Sequence, residues 1–238
     1  LVLVDGVFAP KLSDLAGREK GLLDQSRQMA LDAGIDQSTY LKAASDVMVS
    51  LNGAMATDGV IVSVGDGVAL TRPVQIVHVA TASSASLFTR SRVQVGNGAR
   101  VTLVESFAAM YGAKSYQVND AVIVTVGDEA DVAHIRLMDD APDAANISSG
   151  LVTVGANAKV NFFGLTSGGR VSRFQGFITL AGEGSELSVN GVNLLKDSQH
   201  GDMTLVVDHA VPNCTSREVF RAVVDDRAHS VFQGKIIV

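Results

Sequence analysis

The side chains best equipped for chemistry gather late in the chain, at His200, Asp202, Asp208, His209 and Cys214. Imidazole, carboxylate and thiolate are the usual protein ligands for borderline divalent metals, so the group raises the question of a metal centre. Its spacings fit none of the standard zinc patterns, and in a regular strand Asp208 and His209 point to opposite faces. Cys214 is the single cysteine, which excludes an intrachain disulfide and any multi-cysteine cage for zinc or an iron-sulfur cluster built by this chain alone. The reading is therefore of no catalytic, cofactor-binding or metal-binding residue, with Asp202, His209 and Cys214 kept as structural or interaction candidates.

Each candidate has its own expected environment. Along Met203–His209, the alternation Met203, Leu205, Val207, His209 puts the imidazole on the apolar face, as a core histidine bonded to Asp202 or to a neighbouring rung. Cys214 follows Pro212-Asn213 and falls in a turn as an unligated thiol. His134 alternates with Val132 and Arg136, opposite the more apolar Ala133, Ile135 and Leu137, which predicts exposure. The run Asp139-Asp140-Ala141-Pro142-Asp143 reads as a solvated corner. The pairs Gly65-x-Gly67, Gly96-x-Gly98 and Gly182-x-Gly184 lack the third glycine and following helix of a dinucleotide site, and no Walker sequence occurs.

The elements that must carry these residues are mostly strands. From Pro10 to Gly53 the pattern is helical. In 36–55 the apolar residues Tyr40, Leu41, Ala44, Val47, Met48 and Leu51 predict one buried helix face, with Asp36 or Ser38 as cap and Asn52-Gly53 as terminator. A shorter helix is expected over Gly21–Gly34. After Gly59 the period becomes two, and a corner recurs at Val64-Gly65, Val95-Gly96, Val126-Gly127, Val154-Gly155 and Ala181-Gly182, the glycines being 31, 31, 28 and 27 residues apart. Strand, glycine corner and strand at near-constant spacing is the signature of a solenoid, and the small residue behind each corner suits close stacking of coils. Coils of about 25 residues would give about seven rungs, each about 4.8 Å from the next. The expected division is a helical N-terminal segment over 1–57 and a β-helix core over 58–238.

Composition agrees and excludes several functions. The 238 residues are 47% hydrophobic and 18% charged, with 23 Gly, 4 Pro and no Trp, ample for a core and suited to pleated structure with tight corners. A net charge of −6 without a basic run argues against a nucleic-acid surface. No apolar run approaches the ~18 residues of a membrane span, and Leu1-Val2-Leu3-Val4 is too short for a signal peptide, so a cytoplasmic protein is expected. Because the sequence starts at Leu1 and stops in the apolar Lys235-Ile236-Ile237-Val238, a fragment truncated at its C-terminal end is also expected.

An ordered set of residues resembles the SufB/SufD family of iron-sulfur cluster assembly proteins. It comprises Asp58-Gly59, Arg72–His78, Arg90–Gly96, Glu105-Ser106-Phe107, Asp202–Pro212, Cys214–Glu218 and Val231–Ile236, the last with the Phe232-x-Gly234-Lys235 order of the family. The absence of a Gln-Asn-Trp segment and of several cysteines makes the chain most similar to the SufD branch. The resemblance implies a right-handed parallel β-helix (β-solenoid), a non-enzymatic scaffold role, pairing with a SufB-like subunit and a SufC-like ATPase, and no cofactor bound by this chain alone, with a transient iron-sulfur cluster in the complex. A homodimer in isolation is the other expected assembly. The alternative function is a polysaccharide-active β-helix enzyme, disfavoured by the lack of Trp for sugar stacking.

Overall fold

The computed structural model describes residues 1–16, 19–26 and 45–238, with side chains omitted for 22–26. It is a parallel β-solenoid of about 6 turns with one short helix. The strands are β1 (Val2–Val4), β2 (Val7–Phe8), β3 (Leu22–Ser26), β4 (Val60–Val64), β5 (Val74–Ala80), β6 (Ser86–Val95), β7 (Arg100–Ala109), β8 (Gln117–Val126) and β9 (Asp131–Asp139). They continue as β10 (Ala145–Val154), β11 (Lys159–Thr166), β12 (Val171–Leu180), β13 (Glu186–Leu195), β14 (His200–His209), β15 (Thr215–Val224) and β16 (His229–Ile237), while α1 (Val47–Met55) is the helix.

Odd strands from β5 to β15 stack in one eight-stranded sheet, completed by β1 and β2, and even strands from β4 to β16 stack in the other, completed by β3. Each coil therefore contributes one strand to each sheet. Pairing along the stack is parallel: Ser86 lies beside Gln117, Gln117 beside Ala145, and Ala145 beside Val171. Those steps of 31, 28 and 26 residues follow the glycine spacing of the sequence, because the corner glycines and the strand registers advance together. Inward residues such as Val101, Leu103, Val132, Val160, Leu187 and Val189 form a single core between the two sheets.

The corners stack as tightly as the strands. A Cβ at Gly127 would lie 2.7 Å from the backbone nitrogen of Asn97 in the preceding coil, so only glycine permits this approach. Asp66, Asn97 and Asp128 form a ladder beside it: the Asn97 amide donates to Asp66 Oδ1 (2.8 Å), the Asp128 amide to Asn97 Oδ1 (2.9 Å), and the Ala156 amide to Asp128 Oδ1 (2.7 Å). Short polar side chains thus satisfy the backbone donors that each turn leaves unpaired. Behind the corners, Ala99, Ala130, Ala158 and Ser185 are fully enclosed, as the small-residue pattern predicts.

The N-terminal part differs from its helical expectation. Leu22–Ser26 is a strand antiparallel to β4, where a helix was expected from Gly21; its pairing partner outweighs local propensity. Residues 27–34, with Asp36, Ser38, Tyr40, Leu41 and Ala44, lie outside the described residues. The helix α1 is capped by Asp46, whose carboxylate accepts from the Met48 and Val49 amides, and it runs through Asn52-Gly53 to Met55. Its buried face is Val49 and Asn52, while Val47 and Leu51 are exposed. Val49 packs on Ile123 and Leu151, outward residues of β8 and β10, so α1 covers part of the outer face of the even-strand sheet. Asn52 fastens it there, donating to the Thr89 and Asn119 carbonyls (2.9 and 3.0 Å) and accepting from Arg90 Nε (3.0 Å).

Asn52→Ala removes all three bonds at a buried position and should destabilise the fold by about 1–3 kcal/mol, read as a lowered urea midpoint with unchanged m-value.

Candidate functional site

The chemistry of this chain is concentrated inside the solenoid. On β7 the inward residues are Val101, Leu103, Glu105 and Phe107; on β9 they are Val132, His134, Arg136 and Met138. Register sets Glu105 beside Arg136 and Leu103 beside His134. From the opposite sheet, β6 and β8 send in Thr89 and Asp120, which pair side by side. His78 enters from β5, directly beside Phe107.

These groups form one buried network. Arg136 Nη1 donates to Glu105 Oε2 (2.9 Å) and Nη2 to Asp120 Oδ2 (3.2 Å), bridging the two sheets, while His134 Nε2 lies 2.6 Å from the same Glu105 oxygen. Thr89 donates to Asp120 Oδ1 (2.6 Å). The guanidinium sits over the rings of Phe107 (4.4 Å) and Phe174 (5.0 Å), and Phe107 stacks on His78 at 4.3 Å. A second polar group lies alongside: Asp140 accepts from the Tyr116 hydroxyl and from Asn146 (2.8 Å each), and Asn146 contacts Ser148.

Electrostatics follow from burial and partners. Burial alone would raise the Glu105 pKa, but the Arg136 charge and then the His134 contact outweigh it and hold the carboxyl well below the usual range. Asp140 has no such cation at contact distance, and burial pushes its pKa up against the hydrogen bonds from Asn146 and Tyr116. Burial likewise lowers the pKa of His78, so its ring is neutral near pH 7. With one arginine bridging two carboxylates, the network keeps surplus negative charge. It also keeps open valences: Glu105 Oε1, His78 Nε2 and Arg136 Nε have no hydrogen-bond partner among the described residues.

His134 is therefore buried, not exposed, and Asp140 is buried within a corner expected to be solvated; only Asp143 of that run caps a surface turn, accepting from the Ser115 amide and hydroxyl. The pattern misled because Ala133, Ile135 and Leu137 are more apolar than the face carrying His134 and Arg136, whereas register with Val101 and Phe107 fixes which face turns inward. Glu105, Asp120 and His78 went unremarked; a charged residue flanked two places away by apolar ones, as in Leu103-x-Glu105-x-Phe107, was the available signal.

The residues singled out from the sequence do not converge. His209 is half-buried at the end of β14, where regular alternation lapses and Asp208 is the more buried of the two; its Nε2 lies 3.1 Å from Ser216 Oγ, not beside Asp202. Asp202 is bonded by the Thr204 hydroxyl (3.3 Å) and lies 3.6 Å from Arg173. Cys214 sits in the turn before β15, its thiol partly covered by the core and bonded to the Gly182 carbonyl (3.3 Å) and the Ser185 hydroxyl (3.2 Å). Phe232 stacks on Phe220 at 4.1 Å, and Gly234 lies beside Leu205.

Fold and lumen define a class: a parallel two-sheet β-solenoid that gathers its ionisable groups in its interior. The chain belongs to the SufBD family; the family model described as SUF system FeS cluster assembly, SufBD core domain, matches residues 78–238. It is 25% identical over 253 residues to an iron-sulfur cluster assembly SufBD family protein of Synechocystis, covering 100% of this chain and 55% of the relative. It is 24% identical to the iron-sulfur cluster assembly protein SufD of Escherichia coli, again covering 100% of this chain and 55% of the relative. With SufD of Bacillus subtilis the identity is 27%, over 82% of this chain and 45% of the relative. The chain thus spans about half the length of the curated relatives it matches.

Arg136→Met should cost about 3–5 kcal/mol, because Glu105 and Asp120 are left charged and unpaired in the lumen, and adding Glu105→Gln should recover part of the loss; equilibrium unfolding of both variants measures it. The second expectation concerns pH. The folded pKa of His78 lies below its unfolded value of 6.5, so the unfolded chain takes up the proton first and stability falls as pH drops from 7 through 6.5. Glu105, Asp120, Arg136 and Asp140 face the same ring, and the raised Asp140 pKa works in the opposite sense. His78→Phe should flatten the pH 7 to 5 arm of the stability curve.

Proposed function

We propose that the chain is the solenoid of a SufD-type scaffold subunit, acting in the cytoplasm within a Suf assembly that contains a SufB-like chain and a SufC-like ATPase. The observation that carries this reading is the match to SufD relatives along the entire chain, in phase with the coils of the solenoid. A scaffold role also suits the distribution of polar groups. The buried carboxylates, Glu105 and Asp120, are bridged by arginine inside the coils, where no polymer can reach them, and this favours a non-enzymatic subunit over a polysaccharide-active enzyme. An iron-sulfur cluster is cargo in this reading, held transiently by the complex. Among the described residues no helix is long and apolar enough to cross a membrane, in keeping with a cytoplasmic setting.

Co-expression of the full-length protein with a SufB-like chain and a SufC-like ATPase should yield a complex that survives size-exclusion chromatography. A monomer or a homodimer that ignores both partners at micromolar concentration would overturn the proposal.

A further inference from the structure

The lumen contains a set of donors that the ion-pair network does not exhaust. A ring nitrogen of His78, a carboxylate oxygen of Glu105 and one of Asp120 all lie within 4.8 Å of one another, and all three residues are buried. His78 is 8% exposed and Glu105 0%, yet His78 Nε2 and Glu105 Oε1 have no hydrogen-bond partner among the described residues. Leaving two such atoms idle in a dry interior costs about 1–3 kcal/mol each, so a missing partner is the economical account. A void of about 10 Å³ borders His78, Thr89, Phe107 and Asp140, with Leu87 and Val118 also on its wall; that is room for about one water-sized body.

We propose that His78, Glu105 and Asp120 form an internal binding site for one divalent first-row transition-metal ion. One imidazole and two carboxylates suit ions from manganese to zinc, at ligand distances of roughly 2.0–2.2 Å. Donors around such an ion lie at most about 4.4 Å apart, so side-chain rotations that move the ligand atoms by under about 1 Å close the set. The neutral ring of His78 presents a lone pair without prior loss of a proton. Arg136 engages Glu105 through Oε2 and Asp120 through Oδ2, which leaves Oε1 open and compensates only one of the two carboxylate charges. Phe107 stacked on His78 fixes the ring plane. This site stands apart from the proposed Suf assembly, since it rests on the lumen of one chain and needs no partner.

The experiment uses the full chain in a background of His200→Asn, His229→Asn and Cys214→Ser, which removes the stacked surface histidine pair, whose Nδ1 atoms lie 3.2 Å apart, and the lone thiol. Titration with Co²⁺ alone, followed by desalting and metal analysis, should retain one ion per chain with visible ligand-field bands. His78→Phe keeps the ring stack and removes the nitrogen; it should weaken Co²⁺ binding by at least the roughly 10–100-fold that loss of a supporting group alone causes. In the unsubstituted lumen, bound Co²⁺ should shift the methyl resonances of Leu87 and Val118, a readout that holds even if the His78 variant does not fold. No retained metal, unaltered binding in a folded His78→Phe chain, or unshifted Leu87 and Val118 methyls would each overturn the site.

Discussion

Parallel, in-register stacking of coils governs this molecule. Each residue of a strand sits beside its counterpart one coil earlier and one coil later, so backbone hydrogen bonds run the length of both sheets and side chains form ladders. The register leaves no choice about which face turns inward, and it sets Glu105 against Arg136 and Thr89 against Asp120. A slip of one residue would turn this network out to solvent and expose the valine and leucine core with it. The corners lock the register: a glycine that lets backbones approach and an Asx side chain that receives the next coil's amide make each turn fit only the turn below.

Within that frame, the lumen has an apolar lining interrupted by one charged layer. Arg136 joins the two sheets through carboxylates contributed by each, and its faces are covered by Phe107 and Phe174. Such a buried triad contributes little net stability over an apolar core, since desolvation offsets most of the Coulombic attraction. Its effect is on specificity, because β7, β8 and β9 can meet only where these three groups pair. The histidines extend the layer, His134 on the shared Glu105 oxygen and His78 against Phe107.

The helix α1 performs a related task on the outer face. By covering Ile123 and Leu151 it permits β8 and β10 to be apolar on both sides, which explains the nearly continuous Ala121–Val126 run. Asn52 and Asp46 hold it through bonds to β6, β8 and Gln175 of β12, so one short helix clamps coils far apart in sequence. Family membership accords with this construction, since the corners, the Asp58-Gly59 pair and the strands of 202–236 that resemble the SufB/SufD pattern are all structural parts of the stack. Asp58 accepts from the Phe8 amide, tying the first hairpin to β4's approach, and Gly59 passes so close to the Arg90 carbonyl that a Cβ would fall 1.7 Å from it.

The recurrence of glycine corners and two-residue alternation was sufficient, from sequence alone, to determine a β-solenoid and its coil length, because both signals are local and repeat in phase with backbone geometry. Small residues behind the corners and the turn position of Cys214 were legible for the same reason. The lumenal site was not, and neither were the burial of His134 and Asp140, the half-exposed setting of His209 or the strand at Leu22–Ser26. Alternation shows that two faces exist without saying which is inside when both carry apolar residues. Only stacking against the neighbouring coils and the facing sheet decides that, and only there do Glu105, Asp120, Arg136 and His78, separated by as many as 58 positions in the chain, come within reach of one another.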